Sequence, residues 1–147
     1  MTRAQVPLLV LAAMLLLCAG LPVDLAYAQP QGFAPKVHLR SALTGDDQKE
    51  SVVASAEFAP GGTTGRHSHP WADEYALVLE GTLELIVEGH EPRRVSAGEA
   101  YHTPKGVVHE TRNVGGGVAR AATTFIVDKG KPLTQPAPPS ASGKSGG

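Results

Sequence analysis

Four side chains have the types and spacing to do chemistry together: His67, His69, Glu74 and His109. His67 and His69 stand two apart in the run Arg66-His67-Ser68-His69. On a β-strand, residues two apart share a face at roughly 7 Å along the chain. Both imidazoles can therefore lean toward one ion at the ~2.0–2.1 Å of a Zn–N bond. Pro70-Trp71-Ala72-Asp73 then turns the chain, and Glu74 opens the next strand, from which its carboxylate can return to the same point. His109 starts a later strand after a Pro104-Lys105-Gly106 turn, and joins the set if a barrel closes over the other three. Three neutral imidazoles and one carboxylate suit iron, manganese, nickel, cobalt, copper or zinc. In octahedral coordination such a set leaves two positions open, the property that separates a catalytic site from a structural one. One divalent transition metal is expected, acting as a Lewis acid or holding a chelating molecule beside dioxygen.

The elements that must position these residues read as β throughout the stretch from Lys36 to Lys129. From Ser51 to Phe58, Val52, Ala54, Ala56 and Phe58 alternate with Ser51, Ser55 and Glu57. Glu74 to Glu80 and Thr82 to Glu88 are two strand-like runs pivoting on Gly81, which is a hairpin signal. Further strands are expected over 93–95, 100–103, 109–114 and 118–127, with Gly89, Gly98, Gly106 and Gly115-Gly116-Gly117 marking turns. No window carries a convincing 3.6-residue period with helix caps, and no internal repeat is present. Many short strands spaced by turns predict a single all-β sandwich or barrel.

By strand parity Ala76 and Val78 should face inward with Glu74, and Thr111 with His109. Asn113 shares that parity, either supporting the ligands or lining the pocket. Arg66 and Ser68 should point away. Only one of Tyr101 and His102 can face inward on a regular strand, and that one is a candidate for proton transfer. Trp71 caps the pocket or anchors the loop. His38, His90 and Arg93-Arg94 read as surface residues.

The two ends of the chain are different in kind. Met1-Thr2-Arg3 is followed by an apolar run and by Ala26-Tyr27-Ala28, the order of a secretory signal peptide cleaved after Ala28, residues 1–28. Pro22 and Asp24 close the apolar run before the ~20 residues of a spanning helix, so no membrane association is expected after cleavage. The destination is periplasmic or secreted. Cys18, the one cysteine, leaves with that segment, so the core or a bound metal must hold the exported chain together. Residues 131–147 are rich in Pro, Ser and Gly and should form a disordered tail, which leaves 36–130 as the barrel. At 147 residues there is room for one domain, and a net charge of −1 argues against nucleic acid as a partner.

The whole arrangement resembles the cupin family at both of its signature motifs. The first runs Gly61, five residues, His67-Ser68-His69, four residues, Glu74, six residues, Gly81. The second runs Gly98, five residues, Pro104-Lys105-Gly106, two residues, His109, three residues, Asn113. This resemblance implies a single jelly-roll barrel with His67, His69, Glu74 and His109 as metal ligands. It is similar to small single-domain cupins such as quercetin-dioxygenase-like and germin-like proteins. The implied activity is a metal-dependent dioxygenase-like oxidoreduction of a small oxygenated substrate. The alternatives are metal-assisted isomerase or lyase chemistry, or non-catalytic binding of a metal or small ligand. Cupin barrels commonly pair as homodimers through outer strands, and 37–43 is the candidate segment.

Overall fold

The computed structural model describes residues 31–139. Ten strands follow one another: β1 (Gln31–Leu43), β2 (Asp46–Thr63), β3 (His67–Ser68), β4 (Ala72–Glu80), β5 (Thr82–Val87), β6 (Arg93–Ser96), β7 (Ala100–Thr103), β8 (His109–Asn113), β9 (Ala119–Asp128) and β10 (Gln135–Pro136). Every pairing is antiparallel, and the described residues contain no helix. One wall of the barrel has the order β1-β2-β9-β4-β7, the other β6-β5-β8-β3-β10. The walls join where the end of β2 reaches β8, with Thr63 opposite Arg112. This is the expected all-β jelly-roll barrel.

The alternation seen in the sequence becomes the division between inside and outside. On β2, Val52, Ala54, Ala56 and Phe58 are buried, and on β9 so are Ala119, Ala121, Thr123, Phe125 and Val127. Two apolar clusters result. The larger contains Phe58, Val78, Leu83, Leu85, Val95 and Tyr101, and the smaller contains Val52, Ala54, Ala72, Phe125 and Val127. On β4, Glu74 sits between Ala72 of the smaller cluster and Ala76 of the larger. Alanines at 54, 56 and 121 carry only a methyl group into the interior. The space they leave unfilled is a cavity of about 420 Å³ between the clusters.

Three expectations are corrected. The runs on either side of Gly81 do not form a hairpin: β4 pairs with β7 and β9, whereas β5 pairs with β6 and β8. Gly81, at φ 77°, is instead the corner where the chain leaves one wall for the other. A Cβ there would lie 2.9 Å from the Cβ of Ala119, so glycine is required twice over. The barrel also begins before Lys36, because β1 runs along β2 from Gln31. Finally, the described part of the tail, 131–139, is not a solvated coil. Gln135 and Pro136 pair with Ser68 and His67, Ala137 is buried, and Leu133 packs on the smaller cluster. The few apolar residues of this segment find a groove beside β3, which composition alone does not reveal. The signal segment expected over 1–28, and residues 140–147, lie outside the described residues. No helix among the described residues is long and apolar enough to cross a membrane.

Candidate metal centre

His67 and His109 arrive at one place because β3 and β8 pair with these two residues directly opposite. Their rings lie 4.3 Å apart, centroid to centroid, and His69 is 4.9 Å from His67 and 5.1 Å from His109. One ring nitrogen from each histidine lies within 4.8 Å of the others, and all three residues are buried. Glu74 enters from β4, on the opposite wall. Its Oε2 is 3.4 Å from His69 Nε2 and 3.3 Å from His109 Nε2. The turn that aims His109 is tied to the same site: the Gly106 amide, in a left-handed conformation, donates to the carbonyl of His69 at 2.9 Å.

The outward nitrogens of the three rings are all committed. Nδ1 of His67 donates to the Gly65 carbonyl at 2.9 Å, that of His69 to Leu133 at 2.7 Å, and that of His109 to Val107 at 3.1 Å. A carbonyl can only accept, so each Nδ1 carries the hydrogen and the neutral ring presents a lone pair at Nε2. At Glu74, lone pairs of two rings then face a carboxylate oxygen with no proton between them. His69 Nε2, His109 Nε2 and Glu74 Oε2 are buried without a hydrogen-bond partner among the described residues. Such a convergence of acceptors is costly unless a cation sits among them. Burial, with the neighbouring His109 next in size, lowers the pKa of His67 to about 4 and disfavours charging that ring. For Glu74, burial pushes upward as the largest single effect. Hydrogen bonds from His109 and His69 would outweigh it and hold the carboxyl at about 2, but only with a proton on a facing Nε2; with the hydrogens on Nδ1, a bound cation takes that place. Neutral imidazoles beside an ionised carboxylate form a donor set that fits a divalent transition metal.

Around this point the interior is mostly apolar. Phe33, Phe58 and Phe125 line the cavity with Pro35, Val37 and Leu133, and hydroxyls come from Thr64, Tyr101, Thr111, Thr123 and Thr134. Tyr101 is the inward member of its pair, its hydroxyl 3.4 Å from Thr111 Oγ1, and burial raises its pKa. His102 is on the outer face, bonded to Asp73 at 3.0 Å and stacked on Tyr75, and is not part of the site. Trp71 does not cap the cavity. It packs against the smaller cluster with the Lys131 ammonium 5.9 Å over its ring.

Asn113 neither supports the ligands nor lines the pocket. Its amide bridges the carbonyls of Phe58, Ala59 and Gly117, and its oxygen accepts from Gly115, so it secures the glycine loop after β8. Ala76, Val78 and Thr111 face inward as expected. Arg66 points away and holds the C-terminal segment through the Pro138 carbonyl at 3.0 Å, with Glu88 at 2.8 Å on its other side. His38 bonds Ser55 on the exposed face of β1, and His90 and Arg93-Arg94 are exposed. Sequence reasoning missed the backbone acceptors that orient the rings, the carbonyls of Gly65, Leu133 and Val107. A backbone acceptor 64 positions from His69 leaves no local signal. Thr103, opposite Glu74 on β7, has a buried hydroxyl with no partner among the described residues.

The cupin domain model matches residues 54–127, which is half of the chain. Germin-like protein subfamily T member 2 of Arabidopsis thaliana is 39% identical over 111 residues, 73% of this chain and 50% of that protein. The chain spans between about a third and a half of the length of the curated relatives it matches. Among solved structures, oxalate oxidase in complex with the substrate analogue glycolate is 28% identical at a TM-score of 0.56, covering 68% of this chain and 53% of that one. The DMSP lyase DddQ from Ruegeria pomeroyi is 26% identical at a TM-score of 0.55, covering 68% and 49%. With both motifs intact and the jelly-roll barrel built around them, the chain belongs to the cupin family.

Proposed function

We propose that the chain is a metal-dependent oxidoreductase acting on a small oxygenated molecule, with His67, His69, His109 and Glu74 holding one divalent transition metal. The observation that carries this reading is the set of unpartnered lone pairs around Glu74, left when every Nδ1 hydrogen is given to a carbonyl. A bound iron, manganese, nickel, cobalt, copper or zinc ion supplies Lewis acidity, and the redox-active ones electron exchange with dioxygen. The chain's own residues do the positioning. The carbonyls of Gly65, Leu133 and Val107 hold each ring in one tautomer and orientation. The apolar walls exclude water from the reacting end of a bound molecule. Tyr101 keeps its proton at neutral pH and is the group placed to donate one from its hydroxyl inside the cavity.

The likeness to oxalate oxidase favours oxidoreduction. The likeness to DMSP lyase supports a second reading, lyase or isomerase chemistry on the same scaffold. The test is elemental analysis of the wild-type chain and of His67→Ala and Glu74→Ala, followed by dioxygen uptake with candidate substrates. We expect about one metal per wild-type chain and loss of it in both variants. Undiminished metal in both variants ends the assignment. Substrate conversion without dioxygen uptake favours the lyase reading, and retained metal without any conversion favours a binding protein.

Export to the periplasm or the exterior is part of the proposal and rests on the leader-like start of the chain. So is a homodimer through β1, where Leu39 is 53% exposed on a long strand that pairs on one side only among the described residues. A monomer in analytical ultracentrifugation at micromolar concentration would sink the dimer.

A further inference from the structure

We propose that the cavity takes a molecule with two unlike ends, a single chelating head of two adjacent oxygens and a flat apolar body, and that it selects against small dicarboxylates. This rests on the metal site proposed above and adds the class of its ligand. All three phenylalanines of the chain line this one cavity. Phe33 and Phe58 meet at 5.0 Å between centroids, and Phe125 lies 5.0 Å from the ring of His69. Pro35, Val37, Ala54 and Ala56 continue the apolar surface outward along β1 and β2, as their inward register requires. A volume of about 420 Å³ is that of a site for a ring-bearing molecule.

The polar inventory decides against a small dianion. Apart from the four proposed ligands, the lining offers hydroxyls and one cation. That cation, Lys36, is exposed and stands opposite Ser55 on the outward register of β1, so it belongs to the mouth. Among the described residues, no arginine, asparagine or glutamine lines the cavity. A dicarboxylate such as oxalate chelates through one oxygen of each carboxylate, and its two outer oxygens would then lie among phenylalanine and alanine side chains, where unpaired buried charge is expensive. A single chelating head has its partners in the metal and in the Tyr101 and Thr111 hydroxyls, while the body replaces water against the rings.

The test uses full-length protein loaded with zinc, which has no redox chemistry, and reads binding by isothermal titration calorimetry with 4-phenylcatechol, catechol and oxalate. Metal content is measured first, so that protein without zinc refutes the metal site and leaves the selectivity to be judged only on loaded protein. We expect 4-phenylcatechol to bind roughly ten- to a hundredfold more tightly than catechol, the return for burying one ring, and oxalate to bind more weakly than either. Phe33→Ala should cut the preference for the phenyl-bearing probe severalfold with zinc content unchanged. Should that variant fold poorly, Val37→Asp, at an exposed position on the same wall, should do the same. Loaded wild-type protein that binds oxalate as tightly as 4-phenylcatechol, or that does not distinguish 4-phenylcatechol from catechol, overturns the proposal.

Discussion

Truncating the chain after Gly130 should weaken metal binding about 10- to 100-fold while leaving the barrel folded. The segment 131–139 touches the site at one decisive atom, the Leu133 carbonyl that accepts from His69 Nδ1 at 2.7 Å. Without it the imidazole loses the bond that fixes its tautomer and aims its Nε2 at Glu74. Losing such a supporting partner typically costs 10- to 100-fold in metal affinity, or about 1.4–2.7 kcal/mol. The Leu133 side chain also leaves the smaller apolar cluster, and the β10 pairing with β3 is lost beside His67. The core strands β2, β9 and β4 pair with one another and not with this segment, so circular dichroism should retain the β signature. A second truncation after Pro139 removes only residues 140–147 and serves as the control. Competition against a chromophoric chelator gives the affinity of each protein. A chain ending at Gly130 that binds metal as tightly as the full chain, or a control that loses as much, refutes this role of Leu133.

Asn113→Ala should destabilise the protein by about 2–4 kcal/mol in urea unfolding, because the carbonyls of Phe58, Ala59 and Gly117 lose their donor. Its metal stoichiometry should be unchanged, since the side chain does not reach the cavity. The metal-free protein should lose stability on acidification through His67. Its folded pKa of about 4 lies below the ordinary 6.5, so the unfolded chain takes up a proton first. The contribution is complete above pH 6.5 and falls away as pH drops from there toward 4, by up to about 3 kcal/mol. Thermal unfolding across that range checks the sign, and the slope between pH 6.5 and 4 should shrink in His67→Gln.

Much of the fold was legible because alternation is a local property. Val52 to Phe58 and the inward set on β9 announce their buried face residue by residue. The turn at Pro104-Lys105-Gly106 needs only the backbone preferences of its own residues. Which strands pair is not local. Gly81 reads equally as a hairpin tip or as a corner between two walls. Only the contact with Ala119, 38 positions away, selects the corner.

By itself the sequence determined the strand-rich barrel, the two motifs and the identity of the four chemistry-bearing side chains, since type, spacing and parity are written in order along the chain. Tertiary structure alone decided how they meet: β3 against β8 sets His67 opposite His109, and β4 brings Glu74 from the other wall. It also decided that Tyr101 faces in and His102 out, that Asn113 staples a loop, and that Leu133 orients His69. The reason is the same in each case. A hydrogen bond or a close approach between distant residues depends on strand register and closure, and neither is encoded in the neighbourhood of the residues it joins.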